Sequence, residues 1–126
     1  MTEVTELYFS ELVQVNPDRI NCLVRELGEF GAERVIGRAM EELAVRLARV
    51  KCAVDEKDPA RVAKGAQGLV AIADQIGMHT LAEVARDVAG IAQTTDSAAL
   101  AATAHRLGRI GEKSLMAIWD QQDLSV

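Results

Sequence analysis

The imidazoles and thiols that could act as nucleophiles or metal ligands are few: two histidines, His79 and His105, and two cysteines, Cys22 and Cys52. A neutral imidazole carries a nitrogen lone pair that can take a phosphoryl group or bind a metal. His105 lies in Ala104-His105-Arg106-Leu107-Gly108, among small residues with a cation beside it. Its ordinary expectation is a partly buried imidazole held by hydrogen bonds, because it flanks the apolar stripe beside Ala104. The alternative is an acceptor of a transferred group. His79 follows Ile76-Gly77-Met78 and reads as a surface or capping residue at a helix start. Each cysteine lies in an apolar-rich helical pattern, which favours buried free thiols. Two cysteines in a chain of 126 residues do not make a disulfide framework. The histidines and cysteines lack metal-ligand spacing, so neither a metal nor a cofactor is expected. No nucleophile elbow, phosphate-binding glycine loop or zinc-protease helix occurs, and Glu41, Glu42 and Asp18 form no evident acid–base pair. A metabolic enzyme is not expected.

The length suits a single domain over residues 1–126, and 49% hydrophobic residues suffice for one compact core. Apolar character comes from Ala, Leu, Val and Ile; the aromatics are only Tyr8, Phe9, Phe30 and Trp119. Ala and Leu favour helix. A net charge of −5 without a dense Lys/Arg run argues against nucleic acid as a partner. The N-terminal residues Thr2-Glu3-Val4-Thr5-Glu6 are polar and acidic, unlike a secretory signal, and no apolar run approaches the roughly 18 residues needed to span a membrane. The expectation is a soluble, cytoplasmic protein.

The pattern is helical throughout. A short helix is expected near Glu6 to Val13. Asn16-Pro17-Asp18 reads as a helix start, with Asn as N-cap and Pro at the first helical position. That helix spaces Ile20, Leu23, Val24 and Leu27 along one face and stops near Gly28. The longest helix, about Ala32 to Val54, carries Val35, Met40, Leu43, Leu47 and Val50 on its apolar face and would span about 35 Å. Asp58-Pro59 repeats the cap-then-proline start, and the helix it opens runs to about Ile76, punctuated by Gly77. Another runs from about Met78 to Gln93, with Leu81, Val84, Ala85, Val88 and Ile91 inward. A last one, capped by Thr95 or Asp96, reaches about Trp119 along Leu100, Ala104, Leu107, Gly111, Ser114 and Ile118, and the tail from Gln121 is expected to fray. Short connections make neighbouring helices antiparallel. The expected fold is an all-α, up-down-up-down four-helix bundle with its core in about residues 31–120 and short extra N-terminal helices over one side or end.

The run from Ala66 to Leu81, Ala-Gln-Gly-Leu-Val-Ala-Ile-Ala-Asp-Gln-Ile-Gly-Met-His-Thr-Leu, resembles the signature of histidine phosphotransfer (HPt) domains. That signature reads Ala-His-x-Leu-Lys-Gly, then five residues, then Gly-Ala-x-x-Leu. Leu69, Gly77 and Leu81 match it. The acceptor histidine is replaced by Gln67, the lysine by Val70 and the glycine by Ala71. The resemblance extends from about Gly31 to Leu115, through Met40-Glu-Glu-Leu43, Leu81-Ala-Glu-Val-Ala-Arg-Asp-Val88 and Asp96-Ser-Ala-Ala-Leu100.

In this family an exposed helical histidine passes a phosphoryl group between signalling proteins. The resemblance therefore implies a phosphorelay module that docks a response-regulator receiver domain or a histidine kinase. An amide nitrogen has its lone pair delocalised into the carbonyl and cannot attack phosphorus, so Gln67 makes the chain a non-phosphorylatable member. Periodicity sets Val62, Ala66, Leu69, Ala73 and Ile76 inward, and Gln67 outward with Lys64, Ala71 and Asp74. The expected docking surface is Lys64, Gln67, Gly68, Val70, Ala71 and Asp74, with Lys64 replacing the missing cation.

Two other readings stand beside this one. The first is active phosphotransfer through His105. Asp96 to His105 repeats the spacing from Asp58 to Gln67, within an echo of Asp58–Ile72 by Asp96–Ile110. Only 21 residues follow His105, however, where the family has two further helices. The second is a structural or oligomerisation bundle, with a homodimer among its forms.

Overall fold

The computed structural model describes residues 16–124, with side chains through residue 118. The expected helix at Glu6 to Val13 lies outside the described residues. Four helices follow: α1 (Pro17–Asp55), α2 (Pro59–Gln75), α3 (His79–Ala92) and α4 (Ser97–Leu124). No strand occurs among the described residues. Each helix packs on the next and α1 packs on α4, so the four close a ring around one core and form a helical bundle.

Local chemistry sets the helix starts. Asn16 caps α1: its side-chain oxygen accepts from the Asp18 backbone N–H at 3.0 Å, with Pro17 in the first turn. Asp58 does the same for α2, accepting from the Arg61 N–H at 3.3 Å ahead of Pro59. Asp96 rather than Thr95 caps α4, accepting from the Ala99 N–H at 3.0 Å. The break expected at Gly28 is a kink within α1: Gly28 has φ 75° and ψ 167°, which a residue with a Cβ rarely adopts, and helix resumes on both sides. Gly77, at φ 78°, ends α2 and turns the chain into α3. α4 continues to Leu124, beyond the expected end near Trp119 and through the start of the tail expected to fray.

The core is aliphatic. Leu43, Val62, Leu69, Ile76, Leu81, Val88, Leu107 and Ile118 are at most 1% exposed. The inward stripe read for α2 is buried at all five positions, Val62, Ala66, Leu69, Ala73 and Ile76. On α3 the inward set ends at Ala92, and Ile91 is only half-buried. Leu27 departs from its expected place: it is 49% exposed, on the rim of a shallow pocket with Arg38 and Ile72, where the chain is about to turn at Gly28. Ser114 is the buried polar residue among the described residues; its hydroxyl donates to the Ile110 carbonyl at 2.7 Å, so its burial leaves no unmet hydrogen bond.

The segment before the kink covers the end of the bundle where α2 turns into α3. Asn16 N–H donates to the Gly77 carbonyl at 2.8 Å, and Arg19 Nε donates to the Gln75 carbonyl at 2.7 Å. These bonds satisfy carbonyls left open where α2 ends. Among the described residues, no helix is long and apolar enough to cross a membrane.

Candidate functional site: the outer face of α2

Gln67 lies in the middle of α2 and is exposed, and its side chain makes no hydrogen bond among the described residues. Buried Ala66 and Leu69 bracket it and fix the helix rotation that turns it outward. Lys64, Ala71 and Asp74 are exposed on the same side. Asp74 Oδ2 accepts from Arg86 Nη2 of α3 at 2.7 Å, so its charge is matched by a neighbouring helix. Lys64 makes no ion pair among the described residues.

Two of the six expected surface residues are not open. Val70 is half-buried and packs against the core. It lies four residues beyond the buried Ala66, only about 40° from it around the helix. Gly68 is half-buried because the Arg46 guanidinium of α1 lies over it; a Cβ built at Gly68 would collide with Arg46 Nη1. Arg46 is held from its own helix, Nε and Nη2 donating to Glu42 Oε1 at 3.1 and 3.0 Å. A second cation beside the signature helix, besides Lys64, therefore comes from α1. Sequence reading missed Arg46 because Glu42 and Arg46 have the spacing of an ordinary solvated helix pair. The signal that could have found it is Gly68, a glycine inside a helix where close approach by a neighbour is its usual reason.

One turn toward the start of α2 the charges are used locally. Arg61 bonds Glu56 and lies 4.0 Å from Asp58, and Glu56 holds the guanidinium above its ordinary pKa. Four residues beyond Arg61, Gly65 admits Val50 of α1: a Cβ there would lie 2.8 Å from Val50 Cγ2. Glycines on α2 thus receive α1 side chains at two successive turns, the first apolar and the second cationic.

His105 is exposed and makes no hydrogen bond among the described residues, which corrects the expectation of a partly buried, bonded imidazole. It precedes the buried Leu107 by two residues, about 200° around the helix, so the outward side is its geometric place. It lines an open groove of about 650 Å³ between α1 and α4, with Lys51, Asp55, Gly108, Arg109 and Glu112. Gln67 and His105 are on different helices and in different surroundings. His79 is exposed at the start of α3, with Nε2 3.4 Å from the Asn16 side-chain nitrogen. Cys22 is half-buried and Cys52 exposed, both as free thiols, so burial of Cys52 is not observed; it falls on the side of α1 opposite the Leu43 stripe. Among the described residues, no group of three or more His, Cys, Asp or Glu side chains is gathered as a metal would need.

Comparison with protein-family models, with curated proteins and with solved structures finds no match to this chain.

Proposed function

We propose that this protein is an HPt-like signalling module that cannot itself be phosphorylated at the signature position, and that it docks a response-regulator receiver or a histidine kinase through the outer face of α2. The observation that carries the reading is Gln67: an exposed amide without a partner among the described residues, in mid-helix, flanked by Lys64 and Ala71, at the position where the signature has its acceptor. An antiparallel, up-down-up-down HPt topology belongs to the same proposal. It is supported by cross-helix neighbours that run in opposite order along α1 and α2: Arg19 beside Gln75, Arg46 over Gly68, and Val50 against Gly65. Docking without chemistry lets the module compete with an active carrier or hold a signalling complex together.

Restoring the nucleophile tests the reading. In a His105→Gln background, Gln67→His supplies an imidazole on the same outward face. Incubation with phosphorylated receivers should give an acid-labile phosphoryl label that the His105→Gln protein lacks. A variant that stays folded, binds receivers and takes no label contradicts the proposed docking geometry.

One observation favours a second reading, the exposure of His105 beside Lys51 and Arg109 in the α1–α4 groove. There the imidazole would accept a phosphoryl group while Gln67 serves only in docking. Label on the wild-type chain that is lost in His105→Gln supports this; an unlabelled wild-type chain removes it.

A further inference from the structure

We propose that Arg46, Lys64 and Gln67 form a phosphoryl-binding site around the notch at Gly68, so that the docking face selects a receiver in its phosphorylated state. The inference rests on the docking function proposed above and specifies which form of the partner is bound.

The site is built from two helices. Glu42 takes two of the three guanidinium nitrogens of Arg46 through one carboxylate oxygen, which orients the guanidinium while leaving Nη1 without a hydrogen bond among the described residues. That nitrogen occupies the space where any other residue at 68 would place its Cβ. Lys64 is one helical turn before Gly68, exposed and without an ion pair among the described residues. Gln67 is the next residue to Gly68 and brings an amide N–H₂ that has no partner among the described residues. The nearby carboxylates are engaged: Glu42 with Arg46, and Asp74 with Arg86 at 2.7 Å. On a chain of net charge −5, this corner offers an anion three kinds of donor and no unpaired carboxylate among the residues named.

A phosphoryl group on the partner's aspartate presents three oxygens. Arg46 Nη1, the Lys64 ammonium and the Gln67 amide can each donate to one, and the two cationic donors give the stronger, charge-assisted bonds. No bond to phosphorus forms, because the amide has no available lone pair. A histidine at this position would take the group and end its own preference for the phosphorylated partner. Gln67 leaves the group on the aspartate, so the complex persists for as long as the acyl phosphate does.

The test uses the full chain in two arms. In the first, inorganic phosphate is titrated while the Arg46 Nε–H, the Gln67 side-chain amide and the Gly68 backbone amide are followed by NMR. These signals should shift together, and Arg46→Ala should abolish the response. In the second arm, the receiver domains of the source organism are measured with and without beryllofluoride, which mimics the aspartyl phosphate. The loaded form should bind at least about tenfold more tightly, as expected for losing one charge-assisted bond on unloading. Arg46→Ala should bring that ratio near one, and so should Gly68→Ala, which displaces the guanidinium while retaining helix. Receivers that bind equally well in both states overturn this inference and leave the docking function standing. Receivers that bind in neither state overturn both. Phosphate shifts scattered over surface lysines and absent from Arg46, with an unchanged ratio in the variants, also overturn the inference.

Discussion

Gly65→Ala and Gly68→Ala should change stability in opposite directions, although both put the same methyl on the same face of α2. Each gains about 0.5–1 kcal/mol from the better helix propensity of alanine. At Gly65 the new Cβ would lie 2.8 Å from Val50 Cγ2, where apolar carbons rest at about 3.5–4.0 Å. Val50 is 2% exposed, and its branched side chain is stiff, so relief requires a shift of α1 against α2. Overpacking of this kind costs about 1–3 kcal/mol. The net expectation is a loss of about 1 kcal/mol.

At Gly68 the new methyl meets only the end of a long side chain that is 35% exposed, and that end can swing into solvent. The loss is a surface i, i+4 pair with Glu42, about 0.3–0.5 kcal/mol. Gly68→Ala should therefore be neutral or slightly stabilising. Urea denaturation followed by far-ultraviolet circular dichroism reads both as midpoint shifts at a common slope. On heating, the two variants should separate by roughly 5 °C or more. A Gly65→Ala protein at least as stable as wild type, together with a destabilised Gly68→Ala protein, would refute the α1–α2 packing described here.

Other outcomes follow from the same contacts and are read by the same denaturation assay. Gly77→Ala should lose about 1–3 kcal/mol, because Gly77 has φ 78° and its Cβ would approach Arg19 Cβ at 3.0 Å and the Asn16 carbonyl at 3.2 Å. Leu69→Ala should lose about 2–5 kcal/mol, since Leu69 is fully buried where α2 meets the core. Asp74→Ala should change stability by less than about 1 kcal/mol, because its ion pair with Arg86 is exposed on both sides.

The parts of the fold that were legible in the sequence are those decided within a few residues. Asn16-Pro17, Asp58-Pro59 and Asp96 announce helix starts because a cap needs only its own side chain and the next turn. The α2 stripe from Val62 to Ile76 was legible because a 3.6-residue period survives any tertiary arrangement. Gly28 was legible as a break, but the continuation of helix on both sides was not, since only the φ/ψ pair adopted there distinguishes a stop from a kink.

The site was half legible. The outward placement of Gln67, Lys64, Ala71 and Asp74 followed from helix phase. The cover over Gly68 did not, because it depends on which turn of α1 lies opposite. Apolar neighbours in sequence set His105 and Cys52 inward, whereas their angles from Leu107 and Leu43 set them outward, and angle decides exposure on a helix.

The most direct test of the central claim is an amide NMR titration of the full chain with the receiver domains of the source organism, loaded with beryllofluoride and taken to saturation. The account predicts that the largest shifts fall on Lys64, Gln67, Gly68, Ala71 and Asp74 of α2 and on Arg46 of α1. Saturating receivers that leave this face unchanged would contradict it.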